Sequence, residues 1–343
     1  MILPQHSENE NAPTDARINV SARHDEMPEA NAVSVVVPSY NHAQFIERTL
    51  RSIFAQTLAP AGLLVIDDGS QDDSVRVIER ALAACPFPCE FVARANRGLS
   101  ATLNEGLARG ARGRYFAYLG SDDVWLPEFL SARVALLDAR PSSALAYGHC
   151  FYIDAEDRII DCTADWATYA DGDARQMLWR GTGPHSPTVV YRRDALARYG
   201  WREGARLEDY ELYLRLAADS EFAFDRRVLS AWRVHGKNAS RDPVFMMNEW
   251  FDAQRRVARD TGMSAGHLAR AQDALGWACA ENFARRSERA KACAAAWHHR
   301  RGSQSFANAA KMLLRLFVPR AVWRGRKIRR EREAAERYGT LKF

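Results

Sequence analysis

A chain of 343 residues, 47% hydrophobic and 27% charged, has room for one large α/β domain with an appendage, or for two domains, and can bury an ordinary core. Its net charge of +5 is too small to mark the whole molecule as a nucleic-acid binder, and the basic excess is concentrated near the C-terminus. No apolar run approaches the roughly 20 residues that span a bilayer, and the six cysteines lack the spacing of a four-ligand zinc site, so free thiols in a reducing compartment are expected.

Residues 1–32 lack the basic-then-apolar layout of a secretory signal and read as a disordered polar leader. From Val33 the chain alternates between short apolar runs and helical patterns. "VSVVVPSY" predicts a strand stopped by Pro38, and "AQFIERTLRSIFAQ" places Phe45, Leu50, Ile53 and Phe54 near helical spacing. "LLVIDDGS" with "DDSVRVIERALA", "CEFVARAN" with "GLSATLNEGLARGA", and "RYFAYLGSDD" with "PEFLSARVALLDA" repeat that strand-helix order. Continuous apolar strands, each followed by a helix, predict a mostly parallel sheet covered on both faces, with ligands at the carboxyl ends of the strands. Further on, "ALAYGHCFYIDAEDRII" suggests a hairpin, "SPTVVYRRDAL" a strand entering a helix, and "LEDYELYLRLAADS" a helix that opens on acids. From about Pro243, strand signals vanish and a helical region follows.

The expected strand ends carry Pro38-Ser39-Tyr40-Asn41, Asp67-Asp68-Gly69-Ser70, Arg94 to Gly98, and Ser121-Asp122-Asp123. Two Asp-Asp pairs on one sheet edge form an acidic lip. Adjacent carboxylates repel unless a cation lies between them, which points to a divalent metal and an anionic ligand. Tyr40 adds an aromatic face to the same edge.

These stretches, with "NRGLSATLNEGLARG", "YGWREGARLEDYELYLRLA" and "WRVHGKNASR", resemble family 2 inverting glycosyltransferases over roughly residues 33–241. The resemblance implies a GT-A fold: an α/β mixed sheet flanked by helices, here with a C-terminal α-helical appendage. The expected division is a leader at 1–32, a catalytic domain at 33–241, and a helical region with a basic amphipathic tail at 242–343. The implied activity is inverting transfer of a sugar from a nucleotide-sugar, with uridine favoured, to an acceptor hydroxyl, dependent on Mn²⁺ or Mg²⁺. Implied donor-binding residues are Pro38, Tyr40, Asn41, Asp67, Asp68, Arg97, Gly98, Asp122 and His235. The resemblance prefers the first aspartate of the Asp67–Asp68 pair for the base, Asp122 for the ribose and Asp123 for the metal, with His235 near the metal or diphosphate. Gly120 stands where the family often has a further aspartate, which leaves the division between Asp122 and Asp123 open. Asp209 matches the general base, a role that inversion requires because the attacking hydroxyl must lose its proton as the new bond forms. Arg233 and Lys237 would add positive charge. Leu103 replaces an arginine common in the family, and Arg97 is a candidate to take over its work; His185 and Ser186 are candidate acceptor-side residues.

The tail "FANAAKMLLRLFVPRAVWRGRKIRREREAAERYG" joins apolar residues and tryptophan to a series of arginines, so an anionic membrane surface is a further expected partner. The resulting expectation is a cytoplasmic enzyme, peripheral on the inner face of the plasma membrane. It would act on a saccharide or lipid-linked saccharide in bacterial surface polysaccharide assembly, with no nucleic-acid partner. The alternatives are a sugar-phosphate nucleotidyltransferase and a non-catalytic nucleotide-sugar-binding scaffold.

Overall fold

The structure is a computed structural model that describes residues 16–20, 33–110, 113–235 and 242–342. Four parallel strands form its first half: β2 (Val33–Ser39), β3 (Gly62–Asp67), β4 (Cys89–Ala93) and β5 (Tyr115–Tyr118), in the order β4-β3-β2-β5. Every residue of β2 is buried, because helices cover both faces of the sheet. Val35, Val37, Leu63 and Val65 pack on one face against α1 (Ile46–Phe54), α2 (Ser74–Leu82) and α4 (Phe129–Asp138). Val36, Leu64 and Ile66 alternate to the other face, against α3 (Leu99–Gly110), α6 (Arg193–Tyr199) and α7 (Glu208–Leu216).

Beyond β5 the sheet becomes mixed. It continues through β9 (Val190–Arg192), β7 (Ser143–Ile153), β10 (Glu221–Arg233) and the short β6 (Val124–Trp125), with β8 (Ile159–Cys162) paired to β7. The hairpin expected in "ALAYGHCFYIDAEDRII" is the antiparallel β7–β8 pair. β10 was not anticipated: its alternation is broken at Asp225-Arg226-Arg227, and register shifts against β7 accompany that break. Nor was β1 (Ala16–Val20), an antiparallel edge strand on β4 that lies within the leader expected to be without structure. Its backbone satisfies the open edge of β4, a tertiary effect that composition does not announce.

A third structural level comprises α5 (Arg175–Trp179), α8 (Pro243–Asp260), α9 (Ala265–Arg285), α10 (Arg289–His298), α11 (Phe306–Phe317) and α12 (Arg320–Tyr338). The C-terminal helices have a small core around Phe251, Leu275, Trp277, Phe283 and Met312. They are nonetheless bound into the first domain. Ala253 and Val257 of α8 belong to the core beneath α7, and Gln254 donates to the Trp179 carbonyl and the Tyr210 hydroxyl, both at 2.9 Å. The chain end also returns to the sheet. Leu341 packs with Val124, Ile153 and Ile159, its N–H donates to the Asp157 carbonyl at 3.1 Å, and its own carbonyl accepts from Arg48 at 3.2 Å.

Candidate active site

The strand ends expected to form a polar lip are joined side to side. Asn41, with φ of 55°, turns the chain after β2; its N–H donates to Ser70 Oγ at 2.8 Å and its Oδ1 accepts from the Gln71 N–H at 2.7 Å. Asp67 accepts from the backbone and hydroxyl of Ser70 at 2.8 and 2.6 Å, which makes it the anchor of its own turn. Asp68 reaches across to the next loop: it accepts from the N–H groups of Arg97 and Gly98 at 2.8 and 2.9 Å and pairs with the buried Arg94. Gly98, with φ of 85°, presents that N–H from a conformation that disfavours any side chain. Asp68 Oδ1 accepts from both Arg94 and the Arg97 N–H, but Asp68 Oδ2 and each Asp67 oxygen take one of these bonds and keep a lone pair for a ligand. Tyr40 stands half-exposed above them. Leu103 is a core residue, and the guanidinium that meets Asp68 is that of Arg94; the Arg97 side chain extends toward Glu105 at 3.9 Å.

After β5 the two aspartates diverge. Asp122 lies with His235 Nε2 2.9 Å from its Oδ2 and His42 Nδ1 3.9 Å from its Oδ1. One ligand atom from each of His42, Asp122 and His235 falls within 4.8 Å of the others, a grouping able to hold a metal ion. Asp123, the expected metal ligand, is outside that group. It is 3% exposed and accepts the Arg233 N–H at 2.9 Å, and burial together with the Asp122 charge pushes its carboxyl well above the usual range. Arg233 also donates to the carbonyls of Asp122 and Asp154, at 2.8 and 2.7 Å, and to Asp157, so it braces the loop from behind instead of facing outward. Lys237 lies outside the described residues.

Asp209 opens α7 beneath a separate recess. The Tyr118 hydroxyl donates to its Oδ2, and Trp201 Nε1 donates to Oδ1 at 3.2 Å. Asn104 fixes Trp201 in turn: it donates to the Trp201 carbonyl at 2.7 Å and accepts its N–H at 2.9 Å. Burial pushes Asp209 up to about 6 against the lowering effect of those two hydrogen bonds. Burial and the neighbouring Asp209 raise Glu208 further. A cavity of about 1310 Å³ opens here, running from Arg97 and Gly98 past Asp209 to Met246, Trp250 and Asn282 of the C-terminal helices. His185 and Ser186, the candidate acceptor-side residues, are in its lining. His185 sits between the hydroxyls of Tyr152 and Tyr169, at 2.7 and 3.1 Å, and burial lowers it to about 4, so the ring is neutral at pH 7. Tyr118, Trp201, Asn104 and His42 were not singled out in the sequence. Asn104 and Trp201 lie in stretches that carried the resemblance, but their pairing crosses 97 residues.

A curled mixed sheet with helices on both faces, a polar lip at the strand ends and a buried carboxylate beside a large cavity define a GT-A glycosyltransferase fold. Residues 34–200 match the sequence model for glycosyl transferase family 2, and that segment belongs to the family. An uncharacterized glycosyltransferase of Nostoc sp. is 30% identical over 48% of this chain and 52% of its own length. Chondroitin synthase of Escherichia coli is 28% identical over 61% of this chain and 30% of its own. The chain thus spans about half of the first relative and less than a third of the second. Among solved structures, the mannosyltransferase PcManGT of Pyrobaculum calidifontis, in complex with GDP-Man and Mn²⁺, aligns with a TM-score of 0.58 at 20% identity, over 90% of this chain and 87% of that one. S. aureus TarS 1–349 in complex with UDP aligns at 0.53 and 16% identity, over 71% and 70%. These likenesses establish the fold.

Proposed function

We propose that the chain transfers a sugar from a nucleotide-sugar, a UDP-sugar in our reading, to an acceptor hydroxyl with inversion at the anomeric carbon. The observation that carries this reading is the pairing of the strand-end lip with Asp209, which is held by Tyr118 and Trp201 at the mouth of a cavity large enough for a saccharide. Asp67 and Asp68 supply acceptors for the uracil imide, and Tyr40 an aromatic face. TarS, solved with UDP, and PcManGT, solved with GDP-Man, support nucleotide-sugar binding by this fold. The His42–Asp122–His235 donor set fits a divalent ion, and its two imidazoles favour Mn²⁺ over Mg²⁺, which prefers oxygen. When bound, such an ion would neutralise charge on the diphosphate.

In this reading the acceptor hydroxyl enters from the cavity and gives its proton to Asp209. A carboxylate with an affinity near 6 is mostly ionised at pH 7 yet more basic than an ordinary aspartate, which suits a general base. Tyr118 and Trp201 keep its two oxygens in place. Calorimetric titration of UDP, with and without Mn²⁺, tests the donor half: we expect Mn²⁺-dependent binding that Asp122→Ala abolishes. Failure of UDP, GDP and dTDP alike to bind would remove the reading.

We place the enzyme at an anionic membrane surface, acting on a saccharide or lipid-linked saccharide in bacterial surface polysaccharide assembly. No described helix is long and apolar enough to cross a bilayer. On α11, however, Leu313, Leu314 and Phe317 are 60%, 69% and 78% exposed, next to the arginine-rich α12. Sedimentation with phosphatidylglycerol vesicles should retain the wild type and release the Leu313→Asp/Leu314→Asp/Phe317→Asp variant; equal retention would end the membrane proposal.

A further inference from the structure

The cavity beside Asp209 does not stop at the catalytic domain. Asn282 and Arg286, at the end of α9, form part of its far wall and also line a second cavity of about 1280 Å³. That second space lies between the end of α9 and the first half of α12, and its lining holds six arginines and one lysine against a single acid, Glu288. Four of these cations are engaged: Arg285 with Glu281 at 3.5 Å, Arg286 with Glu288 at 3.1 Å, Lys327 with Glu331 at 3.5 Å and Arg330 with Asp161 at 3.0 Å. Arg320, Arg324 and Arg326 have no acidic partner among the described residues. Trp323, on the same wall, carries an indole N–H with no acceptor, and the Arg326 guanidinium lies 5.0 Å from its ring centroid.

A basic helix face is ordinarily a solvated surface, where like charges spread apart in water. Here the cations converge on a concavity, which focuses positive potential, and guanidinium groups match the geometry of phosphate oxygens. α12 cannot swing freely away from the domain: Arg330 is tied to Asp161, and Arg337 and Tyr338 both contact Asp165, at 2.9 and 3.0 Å. The basin is therefore held against the far wall of the cavity beside Asp209, with Asn282 and Arg286 common to both.

We propose that this basin is an acceptor subsite for phosphate: the acceptor is a saccharide carrying a phosphate or diphosphate, which Arg320, Arg324 and Arg326 bind while its hydroxyl reaches Asp209. This assignment rests on the transferase reading above and deepens it by naming the acceptor's chemical class. The phosphate belongs either to a lipid carrier, whose chain would lie along Leu313, Leu314 and Phe317, or to the saccharide itself.

The test uses the full chain and the Arg320→Glu/Arg324→Glu/Arg326→Glu variant, with farnesyl diphosphate and inorganic pyrophosphate as probes in EDTA, so that no metal recruits either to the donor edge. We expect wild-type binding that weakens on the order of tenfold or more in the variant, as loss of charge-assisted contacts requires. Tighter binding of farnesyl diphosphate than of pyrophosphate supports a lipid carrier; equal binding supports phosphate on the saccharide. Binding of neither probe, or equal binding to wild type and variant, overturns the subsite. A parallel titration of UDP with Mn²⁺ keeps the two claims apart. Unchanged UDP affinity shows that the variant is folded, whereas absence of UDP binding in the wild type defeats the donor reading and leaves the basin result standing.

Discussion

The polar lip and the recess around Asp209 are built by different means. In the lip, each strand runs straight into its candidate residues: Asp67 ends β3, and Asn41, Asp68 and Asp122 follow their strands within a few positions. Their bonds then link neighbouring loops, as when Asp68 takes the N–H groups of Arg97 and Gly98. The recess has no such local source. Tyr118 ends β5, Asn104 lies within α3, Trp201 follows α6 and Asp209 opens α7, and their hydrogen bonds connect residues 91 and 97 positions apart. A candidate binding edge can thus be specified by short motifs, whereas the setting of a candidate base depends on long-range packing.

If that contrast is right, changes in the recess should alter catalysis and stability while leaving donor binding intact. The largest expected effect is on turnover: Asp209→Asn should lower kcat by about 10²–10⁴-fold, the usual contribution of a general base, with UDP affinity unchanged in a calorimetric titration. Normal turnover by a folded Asp209→Asn protein would mean that the recess is not the reaction centre. Next in size is Asn104→Ala. It removes two hydrogen bonds and leaves the Trp201 N–H and carbonyl without their partner, so thermal unfolding should report a loss of about 1–3 kcal/mol.

The smallest change sharpens the account of tuning. The Tyr118 hydrogen bond lowers the Asp209 affinity for a proton, so Tyr118→Phe should raise it. The acidic limb of the pH–rate profile, expected near 6 in the wild type, should then move upward, with full activity reached only at higher pH. A limb that stays in place would assign Tyr118 a purely structural role.

How far the sequence reached follows the same division. The four parallel strands, the helices between them and the β7–β8 hairpin were legible because buried runs and helical spacing are local patterns. β10 was not, since charged residues interrupt it at a bulge, and β1 was not, since only the open edge of β4 makes it a strand. The C-terminal region reads as a separate appendage, yet α8 shares the hydrophobic core beneath α7 and Leu341 returns to the sheet beside β8.

By itself the sequence determined the α/β alternation and the lip of aspartates at the strand ends, because each depends on residues adjacent in the chain; the candidate base was named only through the family resemblance of its stretch. Only the tertiary structure decided that Asp122 joins His42 and His235 while Asp123 turns inward to Arg233. It also decided that Arg94 pairs with Asp68, and that Asp209 is raised by burial and held by Tyr118 and Trp201. Burial and charge proximity are properties of the folded neighbourhood, and two carboxylates with the same local sequence acquire different chemistry when their surroundings differ.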